Sequence, residues 1–140
     1  MIVRELMTTD VVSCEATGSL QPVVETMLTE SVGSVVVTRE GVPAGIFTET
    51  DVLRATAHTE RPLAEIPIHR VASHPLVTTR PNASIRRAVE TMTDNDVKKL
   101  PVVDDSKLVG ILTQSDIVAH YSDFIREAHR LDAMSGQWEE

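Results

Sequence analysis

The 140-residue sequence predicts an α/β fold built from two like units, each running strand, helix, strand, strand, helix. Three observations carry this reading. The chain aligns with itself without a gap at an offset of 65 residues. Short β-branched runs recur at matching places in both copies. Between them, apolar residues fall at three- and four-residue steps, the period of a helix buried on one face.

Identical pairs at this offset include Val12/Val77, Ser19/Ser84, Val24/Val89, Met27/Met92, Val32/Val97, Val37/Val102, Gly45/Gly110, Thr48/Thr113 and Asp51/Asp116. Each unit opens on a short strand, at Val11-Val12 and at Leu76-Val77. Ser19 and Ser84 then start a helix; in the second copy Ile85, Ala88, Val89 and Met92 make its apolar stripe. The runs SVVVT (34–38) and LPVVD (100–104) are buried strands. Glu40-Gly41 and Asp105-Ser106 turn the chain, and PAGIFT (43–48) and LVGILT (108–113) return it as hairpins. A second helix begins at Thr48 and at Thr113.

A unit of about 50 residues is small for an independent core, and its hairpin leaves open edges; pairing the two units answers both. The organisation expected is a first unit at 1–57, a linker at 58–71, a second unit at 72–122 and a helical tail at 123–140. Pro62 and Pro67 prevent the linker from being one helix. Trp138 lies in the tail, and a partner subunit is one thing it could pack against.

Composition bounds the function. Thirteen basic and 21 acidic residues leave a net charge of −8, the wrong sign for general nucleic-acid binding. Residues 70–99 reverse the local sign with Arg70, Arg80, Arg86, Arg87, Lys98 and Lys99, an island suited to a small anion. No apolar run approaches the roughly 20 residues of a membrane span, and MIVRELMTTD is no signal peptide, so a cytoplasmic protein is expected. The single cysteine, Cys14, excludes an internal disulfide. His58, His69 and His74 lack a metal-binding spacing, His120 and His129 read as surface residues, and no nucleophile–base constellation appears. No enzyme activity is expected.

The most specific local pattern is GIFTETD (45–51), repeated as GILTQSD (110–116). Two readings stand side by side. Thr-x-x-Asp at a helix start is a capping box. The same place offers phosphate a helix N-terminus and a hydroxyl, and an aspartate can accept both hydrogen bonds of a ribose diol. Lys98-Lys99 precede the buried LPVVD run, where they either guard an edge strand or neutralise a phosphate; the matching pair in the first unit is Gly33-Ser34.

These motifs resemble those of the cystathionine beta-synthase (CBS) domain pair, or Bateman module, over about residues 1–120. The resemblance implies two units packed through their sheets, with two clefts that hold AMP, ADP, ATP or S-adenosylmethionine-type ligands and no required cofactor. It implies phosphate contacts at Thr48 and Thr113 and ribose contacts at Asp51 and Asp116. One cleft would combine Ile46, Thr48, Thr50 and Asp51 with Leu76, Val77, Lys98, Lys99 and Pro101. The other would combine Ile111, Thr113, Ser115 and Asp116 with Val11, Val12, Gly33 and Ser34. The second lacks the basic pair, so it suits a neutral or cationic adenosyl ligand, or none. The resemblance further implies a homodimer joined through the helices and a regulatory output passed to another chain. A ligand-free dimerisation scaffold is the alternative.

Overall fold

A computed structural model describes residues 1–73, 76–122 and 130. The elements run α1 (Val3–Leu6), β1 (Ser13–Glu15), α2 (Leu20–Glu30), β2 (Ser34–Arg39), β3 (Val42–Thr48) and α3 (Glu49–Thr59). Two 3-10 turns follow, Leu63–Glu65 and Ile68–Arg70, then α4 (Ile85–Asn95), β4 (Lys99–Asp104) and β5 (Lys107–Thr113). Residues 114–122 are helical and are called α5 here. The expected tail, including His129 and Trp138, lies outside the described residues apart from Arg130.

The hairpins form as the sequence predicts. β2 pairs with β3 and β4 with β5, both antiparallel. Both turns place two consecutive residues at positive φ, Glu40-Gly41 (53° and 81°) and Asp105-Ser106 (55° and 68°). That left-handed pair matches the natural twist of a two-stranded ribbon. The leading strands differ from expectation. β1 starts at Ser13 rather than Val11, and pairs in parallel with β2. Leu76-Val77 forms no strand; the equivalent pairing shrinks to a single parallel bridge, Thr79 to Val102. Pro75 and Pro81 bracket that segment, and proline brings no N–H to a ladder.

Each unit has its own core. In the first, Leu20, Val23 and Met27 of α2 cover Val35, Val37 and Phe47. In the second, Ala88 and Met92 of α4 cover Leu100, Val102 and Leu112. The helices bury these faces because strand residues alternate sides. The opposite pleat carries Val36 and Pro101, fully buried but outside both clusters, and the two sheets touch through β3 and β5.

The cores are completed by exchange. Val3, with Leu6 and Met7, packs into the second unit's core. Ile66, Ile68 and Ala72, from the expected linker, pack into the first. The backbone bonds are pseudo-symmetric: Val3 N–H donates to the Ala83 carbonyl (2.8 Å) and Ile68 N–H to that of Gly18 (3.0 Å). Thr8 bridges to Ile111 on β5 as Ser73 bridges to Ile46 on β3. Ile66, Ile68 and Ala72 thus complete the first unit's core while the chain leads on into the second.

Candidate functional site

Both second helices start at the predicted threonines. Thr113 and Asp116 close a reciprocal cap: the Asp116 N–H donates to Thr113 Oγ1 (3.1 Å) and the Thr113 N–H to Asp116 Oδ2 (3.0 Å). At the first unit the aspartate takes more. The Thr48 N–H (2.8 Å) and the Thr48 hydroxyl (3.1 Å) both donate to Asp51 Oδ2. Asp51 Oδ1 faces Arg54 Nη1 at 3.3 Å. The Asp51 side chain stays about a quarter exposed, so Oδ1 can be reached from solvent.

A cavity of about 570 Å³ opens beside this carboxylate. Ile46, Thr48 and Asp51 of the first unit line it, with Leu76, Val77, Lys98 and Lys99 of the second. Seven of the residues expected in that cleft thus meet across the junction of the units. Two others stand elsewhere. Thr50 points into a groove between α2 and α3, because one residue along a helix turns the side chain by about 100°. Pro101 is fully buried on the inner pleat, where its carbonyl accepts the Thr79 N–H (3.0 Å).

Ser73, Asp96 and Val97 also line the cavity and were missed by sequence reasoning. Asp96 ends α4 at positive φ (53°), which turns the chain towards Lys98. The lining carries two carboxylates, Asp51 and Asp96, and two ammonium groups, Lys98 and Lys99. That mixture fits a ligand with hydrogen-bond donors at one part and an anionic group at another. Apolar Ile46, Leu76 and Val77 offer surface for a flat ring.

The residues expected in the opposite cleft are less gathered. Ile111 is buried and bonded to Thr8 in both directions, and Ser115 is exposed. Val12 packs against the first core, while its carbonyl accepts the Val36 N–H (3.0 Å). Val11 lines a separate cavity of about 430 Å³ with Glu15, Thr38 and Lys107. Gly33, followed by Ser34, lies under the Glu49 carboxylate, 3.3 Å from where a Cβ would stand. An acidic group therefore occupies the neighbourhood that Lys98 occupies in the first cleft.

Two shifted groups sit on β1. Burial, helped by the charge of Glu15, pushes the Cys14 thiol up to about 11. The Thr38 hydroxyl, with the N–H groups of Glu40 and Gly41, holds the Glu15 carboxyl below its ordinary 4.5. Glu15 thereby ties the β2–β3 turn to β1. Among the described residues no group of three His, Cys, Asp or Glu side chains could hold a metal ion. No described helix is long and apolar enough to cross a membrane.

Two units of one pattern, meeting at a shared cavity beside Thr-x-x-Asp, define a tandem-repeat domain pair. The CBS domain family profile matches residues 3–58 and 68–123, and the chain belongs to that family. It is 32% identical over 119 residues to the CBS domain-containing protein YhcV of Bacillus subtilis, covering 84% of each chain. It is 33% identical over 119 residues to protein MK0525 of Methanopyrus kandleri, where it spans 83% of this chain but only 60% of that one. Among solved structures, an uncharacterized conserved protein from Pyrococcus horikoshii superposes with a TM-score of 0.75 at 26% identity, covering 86% of this chain and 91% of that one. The CBS domain pair of protein MJ0100, solved with 5′-methylthioadenosine and S-adenosyl-L-methionine, shares the fold (TM-score 0.77, 18% identity, 88% and 97% covered).

Proposed function

We propose that the chain is a non-catalytic regulatory module that binds an adenosyl ligand in the Asp51 cleft and passes the bound state to a partner or to its own oligomer, a homodimer. The observation that carries this is the 570 Å³ cavity in which Thr48, Asp51, Lys98 and Lys99 converge from both units. A ligand there bridges the units, so occupancy changes how firmly they are held together. The adenosyl ligands named for the MJ0100 domain pair support the ligand class. In this arrangement Asp51 Oδ1 accepts from a ribose diol, displacing Arg54. The base lies against Ile46, Leu76 and Val77, and phosphates meet the lysines. The Asp116 cleft, with Gly33 and Ser34 and the Glu49 carboxylate at its side, is the weaker phosphate site.

A second reading has its own observation. The Thr48–Asp51 and Thr113–Asp116 contacts are complete without a ligand, as a scaffold would need. Calorimetry with AMP, ADP, ATP, adenosine and S-adenosylmethionine separates the two. The sensor binds at least one of them. A charge-assisted hydrogen bond is worth roughly 1.5–3 kcal/mol, so Lys98→Ala/Lys99→Ala raises the ATP dissociation constant about ten-fold or more while leaving adenosine unchanged. Indifference of the wild type to every ligand makes the motifs helix caps and the protein a scaffold.

A further inference from the structure

The cavity beside Asp51 is lined by four charged side chains, Asp51, Asp96, Lys98 and Lys99. Asp51 is engaged by the Thr48 donors and by Arg54. Asp96 stands apart. Its backbone ends α4 in the left-handed region, and its N–H donates to the Met92 and Thr93 carbonyls. Its side chain is exposed, and among the described residues it forms no ion pair and accepts no hydrogen bond.

The turn itself does not require an acid. At the 65-residue offset Asp96 matches Ser31, which ends α2 with nearly the same backbone (φ 57°, ψ 43° against φ 53°, ψ 48°). The chain thus makes this turn with a neutral side chain in one unit and an ionised one in the other. The charge belongs to the cavity rather than to the helix end.

Charge arithmetic gives it a role. A phosphate monoester carries about −1.5 to −2 near neutral pH, which Lys98 and Lys99 balance. A second or third phosphate adds about one negative charge each, and the cavity lining holds no further cation to meet it. What it holds instead is the Asp96 carboxylate, in a recess where apolar Ile46, Leu76 and Val77 weaken solvent screening. We propose that Asp96 is a specificity-determining residue of this cleft: it limits the ligand to one anionic group and turns away nucleoside di- and triphosphates. This rests on the adenosyl reading above and adds the charge class of the ligand. Lys98 and Lys99 draw the anion in, and Asp96 sets how much negative charge is accepted.

Calorimetry on the full chain in EDTA buffer, with adenosine, AMP, ADP, ATP and S-adenosylmethionine, tests this. The wild type binds AMP more tightly than ADP, and ADP more tightly than ATP. Asparagine suits a left-handed turn, so Asp96→Asn removes the charge without disturbing the helix end. It tightens ATP by about ten-fold and AMP by about three-fold, and leaves adenosine within about two-fold. Asp96→Ser, which copies Ser31, does the same. S-adenosylmethionine, whose net charge is positive, moves the other way and weakens. The ATP effect shrinks as salt is raised. A wild type that prefers ATP to AMP overturns the proposal. So does an ATP affinity unchanged in both variants, a shift of adenosine equal to that of ATP, or a tightening of S-adenosylmethionine alongside ATP; in each of these the adenosyl reading stands. A wild type that binds none of the ligands overturns the adenosyl reading, and the proposal falls with it.

Discussion

Gly110 sits on β5 where the N-terminal segment crosses into the second unit. A Cβ there would stand 2.8 Å from the Thr8 carbonyl oxygen, 2.8 Å from Met7 Sδ and 3.1 Å from Met7 Cγ. The methionine can swing aside, but the backbone carbonyl cannot, because the Thr8 and Ile111 N–H groups are exchanged across this contact at 2.9 and 2.8 Å. Gly110→Ala therefore pushes the segment off the strand. Overpacking costs about 1–3 kcal/mol, and weakening two backbone bonds adds roughly 0.5–1.5 kcal/mol each. Part of this overlaps, so the expected loss is about 2–4 kcal/mol. Gly33→Ala is the control. Its nearest neighbour is the end of the flexible Glu49 side chain at 3.3 Å, which can move, and a loss below about 0.5 kcal/mol is expected. Urea denaturation followed by circular dichroism gives both values, with the slope m unchanged. A Gly110→Ala loss no larger than that of Gly33→Ala refutes the argument that this segment is clamped against β5.

Three further outcomes follow from the site and its surroundings. Asp51→Asn keeps the shape of the side chain but leaves one carbonyl oxygen to serve the Thr48 donors and Arg54; stability falls by about 1 kcal/mol, and if the diol reading holds, adenosine binding weakens in calorimetry as much as ATP binding. Because the folded state lowers the Glu15 pKa, its contribution to stability is complete above the ordinary 4.5 and is lost as pH falls below it; the gap between wild type and Glu15→Gln in urea midpoints should be widest near pH 7 and close in acid, and a gap constant down to pH 3 would sink this account. With its thiol pushed up to about 11, Cys14 should react with iodoacetamide far more slowly at pH 8 than a free cysteine, and speed up on denaturation.

Much of this was legible in the sequence because duplication wrote it twice. The four hairpin strands and the threonine helix starts fall within a residue or two of where period and turn chemistry put them. The gathering of Asp51, Lys98 and Lys99 at one cavity was expected from the resemblance of the motifs, whereas Asp96, which belongs to no repeated motif, was not. What the alignment left out was the start of the repeat. Aligned from Leu6 and Val71 onward, the copies hide the pairing of Val3 with Ile68, which the same 65-residue offset extends to. Both are buried, and both hydrogen-bond back to the start of a helix. Two prolines made residues 58–71 look like a spacer, yet Pro67 supplies the extended residue that leads Ile68 into the core. Thr50 and Pro101 lie away from the cavity lining because the side a residue faces is decided by single-residue phase, which motif matching does not preserve.

The exchange of end segments also sets an order of events for the nascent chain. Residues 66–73 come off the ribosome after everything else the first unit requires, so that unit can close once they emerge. Residues 1–8 are made well before their seat on β5, which does not exist until residues 107–113 have appeared. That segment must therefore wait, its apolar Val3, Leu6 and Met7 without their seat, until the second hairpin has been made. Closing so long a loop is slow compared with local helix and hairpin formation, which makes the docking of residues 1–8 onto β5 a late step in the folding of the domain pair.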